Sequence, residues 1–113
     1  MDKTELAIFD GFRKRDGMVV PFRRDKIVQA IYRAADEVRR RDHVEVGETM
    51  PEQMADLVIQ QLSDPRSEYH VSADDHGRRI PHIEDMQDLI EIVLAEQGYA
   101  PIVAAYKRFR KHR

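Results

Sequence analysis

The chain has 113 residues, of which 42% are hydrophobic and 35% charged, with a formal net charge of −2 and no cysteine. This length and composition predict one soluble globular domain rather than a disordered segment, and the weakly negative net charge argues against a general nucleic-acid binder. The lack of cysteine excludes disulfides, thiolate zinc sites and cysteine nucleophiles, and no apolar run is long enough to cross a membrane. Because the first ten residues are charged and carry no secretion signal, we expect a cytoplasmic protein.

The segment 12–22 predicts a β-hairpin. The dipeptide Asp16-Gly17 lies between two stretches that can extend, and it favours a two-residue type I′ turn, in which both central residues have positive φ. Pro21 has no N–H to donate, so we expect the second strand either to lie at a sheet edge or to end there. Residues 1–11 form an N-terminal extension that is expected to be either a short helix or frayed chain.

Apolar residues at helical spacing predict four helices after the hairpin. Their expected limits are about 25–41, 49–63 and 82–97, with the fourth beginning at Pro101 and ending in a basic tail. The stretch between the second and third helices is irregular, with a short strand expected over Glu68–Val71 and a turn at 74–77.

Positive charge is concentrated around the start of the first predicted helix. Five cations lie between residues 14 and 27, namely Lys14, Arg15, Arg23, Arg24 and Lys26. Free N–H groups at a helix start, together with convergent lysine and arginine side chains, form a site for a polyanion such as a phosphate chain. The alternative is a solvated hairpin whose cations keep an edge strand soluble.

Three motifs in this chain resemble the ATP-cone domain, the regulatory nucleotide-binding module at the N-terminus of many ribonucleotide reductases. The first comprises Lys-Arg-Asp-Gly at 14–17, Val-Pro-Phe at 20–22 and Asp-Lys-Ile at 25–27; the second covers 82–91 and the third 104–111. They occur in family order, and we assign residues 12–113 to this domain. The resemblance implies an α+β, mostly α fold, a four-helix bundle capped by a small antiparallel β-sheet, which agrees with the predicted elements.

The resemblance also implies a site for the phosphates of ATP or dATP, the expected allosteric ligands. Lys14, Arg15 and Lys26 match family residues that contact the phosphates, while Asp16 and Gly17 match those that form the turn. Mg²⁺ is expected to accompany the triphosphate rather than to occupy a site of its own.

Further cations and one amide complete the predicted site. Arg23 stands where the family varies, so its phosphate contact is predicted from charge alone. Gln87 falls in the motif that lines the base pocket and is expected to read the adenine edge, the alternative being a surface glutamine. Arg110 and Lys111 are expected to bring positive charge to the phosphates, the alternative being a solvated tail.

No catalytic arrangement of residues is evident. The histidines and aspartates between the second predicted helix and the start of the third are too irregularly placed to predict a metal site; they are His70, Asp74, Asp75, His76 and His82. The segment 67–81 looks long for the family and is expected to reshape the mouth of the nucleotide pocket.

The resemblance implies a regulatory domain, not an enzyme. It would control the catalytic or radical subunit of an attached or partner ribonucleotide reductase through conformation or oligomeric state, and self-association of the chain is a further expectation. The second motif looks closest to the anaerobic, triphosphate-reducing branch. Two alternatives stay open: a free-standing cone that acts as a transcriptional regulator or adaptor, and a helical interaction module whose nucleotide site has decayed.

Overall fold

A computed structural model describes residues 9–111 as a small hairpin and four helices. In chain order the elements are β1 (Phe12–Arg13), β2 (Val19–Val20), α1 (Arg24–Asp42), α2 (Met50–Ser63), α3 (Ile83–Glu96) and α4 (Ala100–Lys111). The predicted fold, mostly helical with a small antiparallel sheet, is confirmed. The helix considered for residues 1–11 lies almost wholly outside the described residues. No helix in the described range is long and apolar enough to span a membrane.

The four helices form a closed bundle. Helix α1 packs against α2 and α4, and α3 packs against the same two helices from the opposite side. Each helix buries one apolar stripe, because its hydrophobic residues recur at three- and four-residue intervals. Ile31, Ile90 and Leu94 are fully buried, and each such side chain contributes about 1.5–3 kcal/mol relative to leaving it exposed. The bundle therefore supplies the rigid support for the hairpin.

The hairpin has a different turn from the predicted one. Phe12 pairs with Val20 and Arg13 with Val19, as expected for adjacent antiparallel strands. The Gly17 N–H donates to the Lys14 carbonyl, so Arg15 and Asp16 are the central residues, and Gly17 alone has positive φ, at +89°. The type I′ prediction was wrong: a three-residue loop is formed because the Asp16 carboxylate accepts from the Met18 N–H and fixes a turn that needs only one glycine.

The segment between α2 and α3 holds the hairpin onto the bundle. The Asp10 N–H donates to the Arg79 carbonyl, and the Arg79 N–H donates to the Asp10 carboxylate. The Arg13 N–H donates to the Pro81 carbonyl at 2.9 Å. Arg79 also donates to the Val71 carbonyl and stacks on the ring of Phe9, which is buried in the core. The strand predicted over residues 68–71 is absent, because this backbone makes turns and returns to the end of α2 instead of pairing as a ladder.

Helix α1 carries an unusual buried charge near its C-terminal end. Asp36 is only 8% exposed, and the guanidinium groups of Arg39 and Arg40, one turn further along, donate to its two carboxylate oxygens. These hydrogen bonds, from Arg40 first and then Arg39, hold the pKa of Asp36 below its ordinary value of 3.8. The ionised form is thus stabilised in the folded protein.

Replacing Asp36 with asparagine is expected to lower the melting temperature at neutral pH. Because the folded pKa of Asp36 is depressed, its contribution is fully present above the ordinary value of 3.8 and is lost as the pH falls through the lower folded value. Thermal unfolding of wild type and Asp36→Asn should therefore differ at neutral pH and converge in acid. Asp75→Asn, at an exposed carboxylate, is the matched control; a constant difference across pH would contradict this role for Asp36.

Candidate functional site

A cavity of about 540 Å³ opens between the hairpin, the start of α1 and the facing sides of α3 and α4. Its volume is in the range of about 300–1,000 Å³ typical of small-molecule sites. Its apolar lining residues are Phe12, Val20, Pro21, Ile27, Ala30, Ile83, Met86, Ile90, Tyr106 and Phe109. The polar lining comprises Lys14, Arg23, Lys26, Gln29, Arg33, Gln87 and Arg110. The cavity therefore offers both the apolar and the cationic groups that a base attached to a phosphate chain requires.

Three cations lining this cavity are available for a ligand. Within residues 9–111, the side chains of Lys14, Lys26 and Arg33 make no ion pair or hydrogen bond, and all three residues are exposed. Lys26 and Arg33 lie two turns apart on α1, whose N-cap residue Arg23 makes no side-chain capping bond. These cations and the positive end of the α1 dipole together favour an anion in this cavity.

Arg23 lines the same cavity but is already engaged with an acid. Its Nε and Nη2 each donate to one oxygen of the Asp25 carboxylate, at 3.1 Å in both cases. This fork is the main cause that lowers the pKa of Asp25. A phosphate contact by Arg23 thus competes with an existing charge-assisted pair.

A second cavity, of about 720 Å³, adjoins the first. The two share the lining residues Lys14, Ile83, Gln87 and Arg110. Arg15 and Lys111 line only the second, and Arg15 is paired there with Glu84 at 2.9 Å while remaining 87% exposed. The structure therefore places Arg23 and Lys26 at the first cavity and Arg15 and Lys111 at the second, with Lys14 and Arg110 at both.

Arg110 and Gln87 are in direct contact across the interface of α4 with α3. Arg110 Nε donates to Gln87 Oε1 at 3.1 Å, and Nη1 lies 2.8 Å from both Asp88 Oδ1 and Glu91 Oε2. Desolvation disfavours the charge of Arg110, but the bonds to Glu91 and Asp88 outweigh it and raise the pKa of the guanidinium. Arg110 was expected to bring positive charge to the phosphates, but in the structure it is paired with acids of α3.

The remaining predicted residues do not line either cavity. Asp16 and Gly17 form the hairpin turn, as expected from the motif. The segment 67–81 was expected to reshape the pocket mouth; it contributes no lining residue, because it packs against the hairpin on the side of Phe9. Among residues 9–111, no group of three or more histidines and acids is placed to hold a metal ion.

Sequence reasoning missed two polar residues of the cavity, Gln29 and Arg33. Both lie on α1, three and seven residues after Lys26, and so on the same face of the helix. This spacing was the signal available in the sequence. The predicted site followed the family motif instead, and that motif ends at Ile27, before both residues.

The ATP cone domain family model matches residues 12–113. The chain is also 30% identical over 105 residues to a vitamin B12-dependent ribonucleoside-diphosphate reductase of Thermoplasma acidophilum, a match that covers 88% of this chain and 11% of that protein. It is 35% identical over 101 residues to the vitamin B12-dependent ribonucleoside-diphosphate reductase of Mycobacterium tuberculosis, covering 89% of this chain and 12% of the relative.

The chain belongs to the ATP cone domain family, whose members are regulatory adenine-nucleotide-binding domains rather than catalytic ones. It spans only about an eighth of the length of the reductases it matches. The match therefore concerns only a small part of those proteins.

Proposed function

We propose that this domain binds ATP and dATP in the cavity between the hairpin, α1, α3 and α4, and that its occupancy regulates a ribonucleotide reductase. The observation that carries the proposal is that Lys14, Lys26 and Arg33, three cations without a partner among residues 9–111, line one cavity together with apolar side chains. The cations suit a phosphate chain, and the apolar lining suits a purine ring.

The energetics of this arrangement are sufficient for a physiological ligand. Each charge-assisted hydrogen bond to a phosphate contributes about 1.5–3 kcal/mol, and micromolar affinity corresponds to about 8 kcal/mol. Three cations and burial of the base against the apolar lining reach this value after ordering costs. Mg²⁺ would enter with the triphosphate, partly neutralising it.

Regulation requires that ATP and dATP bind two states of the protein with different affinities, since equal affinity for both states shifts nothing. The proposed partner is the catalytic or radical subunit of a reductase, attached to the domain or separate from it, with self-association of the chain as one way to transmit the signal. The curated relatives support a reductase partner. Membership of the anaerobic branch and a cytoplasmic location stay predictions.

Calorimetric titration with ATP, dATP, ADP and GTP, each with and without Mg²⁺, tests the binding proposal. We expect micromolar ATP and dATP binding, mutual competition between them, and weaker binding of ADP, which offers fewer phosphate oxygens to the cations. Size-exclusion chromatography with each ligand then tests for a change in oligomeric state. A folded protein that binds none of these nucleotides would overturn the proposal and favour an interaction module whose site has decayed.

A further inference from the structure

The side-chain amide of Gln87 has a fixed direction in this structure. Arg110 offers only N–H donors, so the group that meets its Nε at 3.1 Å must be the amide oxygen of Gln87 and not the nitrogen. The Nε2 group of Gln87 is consequently turned away from Arg110. It has no acceptor among residues 9–111, and no buried side-chain nitrogen there lacks a partner, so this group is open to solvent.

Arg110 is itself held so firmly that it acts as a clamp. Its guanidinium contacts four groups on one face of α3: the Gln87 amide, the carboxylates of Asp88 and Glu91, and the Glu84 carbonyl at 3.2 Å. The side chains of Arg110 and Glu91 are only 24% and 20% exposed. Rotating the Gln87 amide by half a turn would place an NH₂ group against the guanidinium, donor against donor, so the observed orientation is strongly preferred.

We propose that Arg110 is a positioning residue, which fixes Gln87 as a hydrogen-bond donor toward the cavity and thereby selects a purine whose N1 is an acceptor. This inference rests on the proposed function and deepens it. Gln87 lines both cavities, so its NH₂ group is presented where a base can meet it.

The chemistry of the purines determines which base fits. Adenine has an acceptor at N1 and an amino donor at C6, so Gln87 Nε2 can donate to N1 while the second lone pair of Oε1 accepts from the amino group. Hypoxanthine and guanine reverse both groups, with N1–H as a donor and O6 as an acceptor. Donor then faces donor and acceptor faces acceptor, and the polar groups that the bound base shields from water are left unpaired.

ATP and ITP differ only at the C6 and N1 positions of the base. Comparing their affinities therefore tests the hydrogen bonds between Gln87 and the base separately from the phosphate contacts. We expect wild type to bind ATP at least about tenfold more tightly than ITP, the discrimination typical of a well-placed pair of hydrogen bonds to a base. Gln87→Glu replaces the donor with an acceptor and should lower this ratio by at least about tenfold. The ratio is the readout because the added charge weakens both triphosphates alike.

Arg110→Met removes the clamp while keeping an apolar stem, so the Gln87 amide can turn to suit either base and the ATP-to-ITP ratio should fall toward one. Arg110→Lys keeps a donor for Gln87 Oε1 and should retain part of the preference. Arg108→Met is the matched control, since Arg108 is an arginine on the same helix that pairs with Glu37 and lines neither cavity; its ratio should equal that of wild type.

The outcomes separate the two proposals. Equal binding of ATP and ITP by wild type, or an unchanged ratio in Arg110→Met and Gln87→Glu, would overturn the positioning role of Arg110 and leave the proposed nucleotide binding intact. Absence of binding by any nucleotide would overturn the proposed function and the clamp with it. Should Arg110→Met fail to fold, Gln87→Glu and Arg110→Lys keep the proposal falsifiable, because an unchanged ratio in Gln87→Glu or a ratio near one in Arg110→Lys would still overturn it.

Discussion

Replacing Lys26 with alanine is expected to weaken ATP binding by about 10-fold to 100-fold, the equivalent of one charge-assisted hydrogen bond. Lys26 lies in the first turn of α1 and lines the cavity, and its ammonium has no ion pair or hydrogen bond among residues 9–111. Lys14 faces the same cavity from the hairpin, so the Lys14→Ala, Lys26→Ala double variant should bind more weakly than either single variant. Isothermal calorimetry at fixed ionic strength measures all three.

Arg66→Ala is the control for this experiment, because it removes one positive charge from a side chain that is 91% exposed and lines neither cavity. Its affinity for ATP should match that of wild type. An equal loss in Arg66→Ala would mean that only the overall charge matters. Wild-type affinity in both lysine variants would show that the nucleotide, if bound, lies elsewhere. Because the lysines are exposed, added salt should also weaken wild-type binding.

The second large effect is expected at Gly11, immediately before β1. A Cβ atom built at this position would lie 2.7 Å from the Val20 carbonyl oxygen and 2.7 Å from Val19 Cγ1, and the backbone has φ of +157°. The carbonyl belongs to β2 and cannot move without disturbing the pairing of Phe12 with Val20. Gly11→Ala should therefore lower the free energy of unfolding by about 1–3 kcal/mol, as measured by urea denaturation.

The hairpin also forms part of the cavity, since Phe12 and Val20 both line it. Gly11→Ala is accordingly expected to reduce nucleotide affinity in addition to stability. Gly47→Ala is the matched control, because a Cβ there would meet its nearest neighbour, Met50 Cβ, at an ordinary 4.0 Å. This variant should change stability by no more than about 0.5 kcal/mol. Equal stability of Gly11→Ala and wild type would contradict the described packing of the hairpin.

The helices could be predicted because local patterns determine them. The spacing of apolar residues, and Pro51 near the start of α2, predicted helix ends that lie within a residue or two of those observed. The turn type could not be predicted from Asp16-Gly17 alone, since this dipeptide suits two kinds of loop, and the side-chain bond from Asp16 to the Met18 N–H decides between them.

The candidate site was predictable in its phosphate-facing part and less so elsewhere. Lys14 and Lys26 follow from a motif that is continuous in sequence. The pairing of Arg110 with Asp88 and Glu91 depends on how α4 packs against α3, a tertiary relation between residues about twenty positions apart. The sequence shows a basic tail, and the acids that neutralise this arginine become evident only in three dimensions.

The central claim, that an adenine nucleotide occupies this cavity, is tested most directly by mapping backbone amide chemical shifts of the isotope-labelled domain during titration with ATP. We predict that the largest changes occur at 12–20, in the first turn of α1 and around Gln87, with smaller changes in residues 64–80. Changes confined to 64–80, or no changes at saturating ATP, would contradict it.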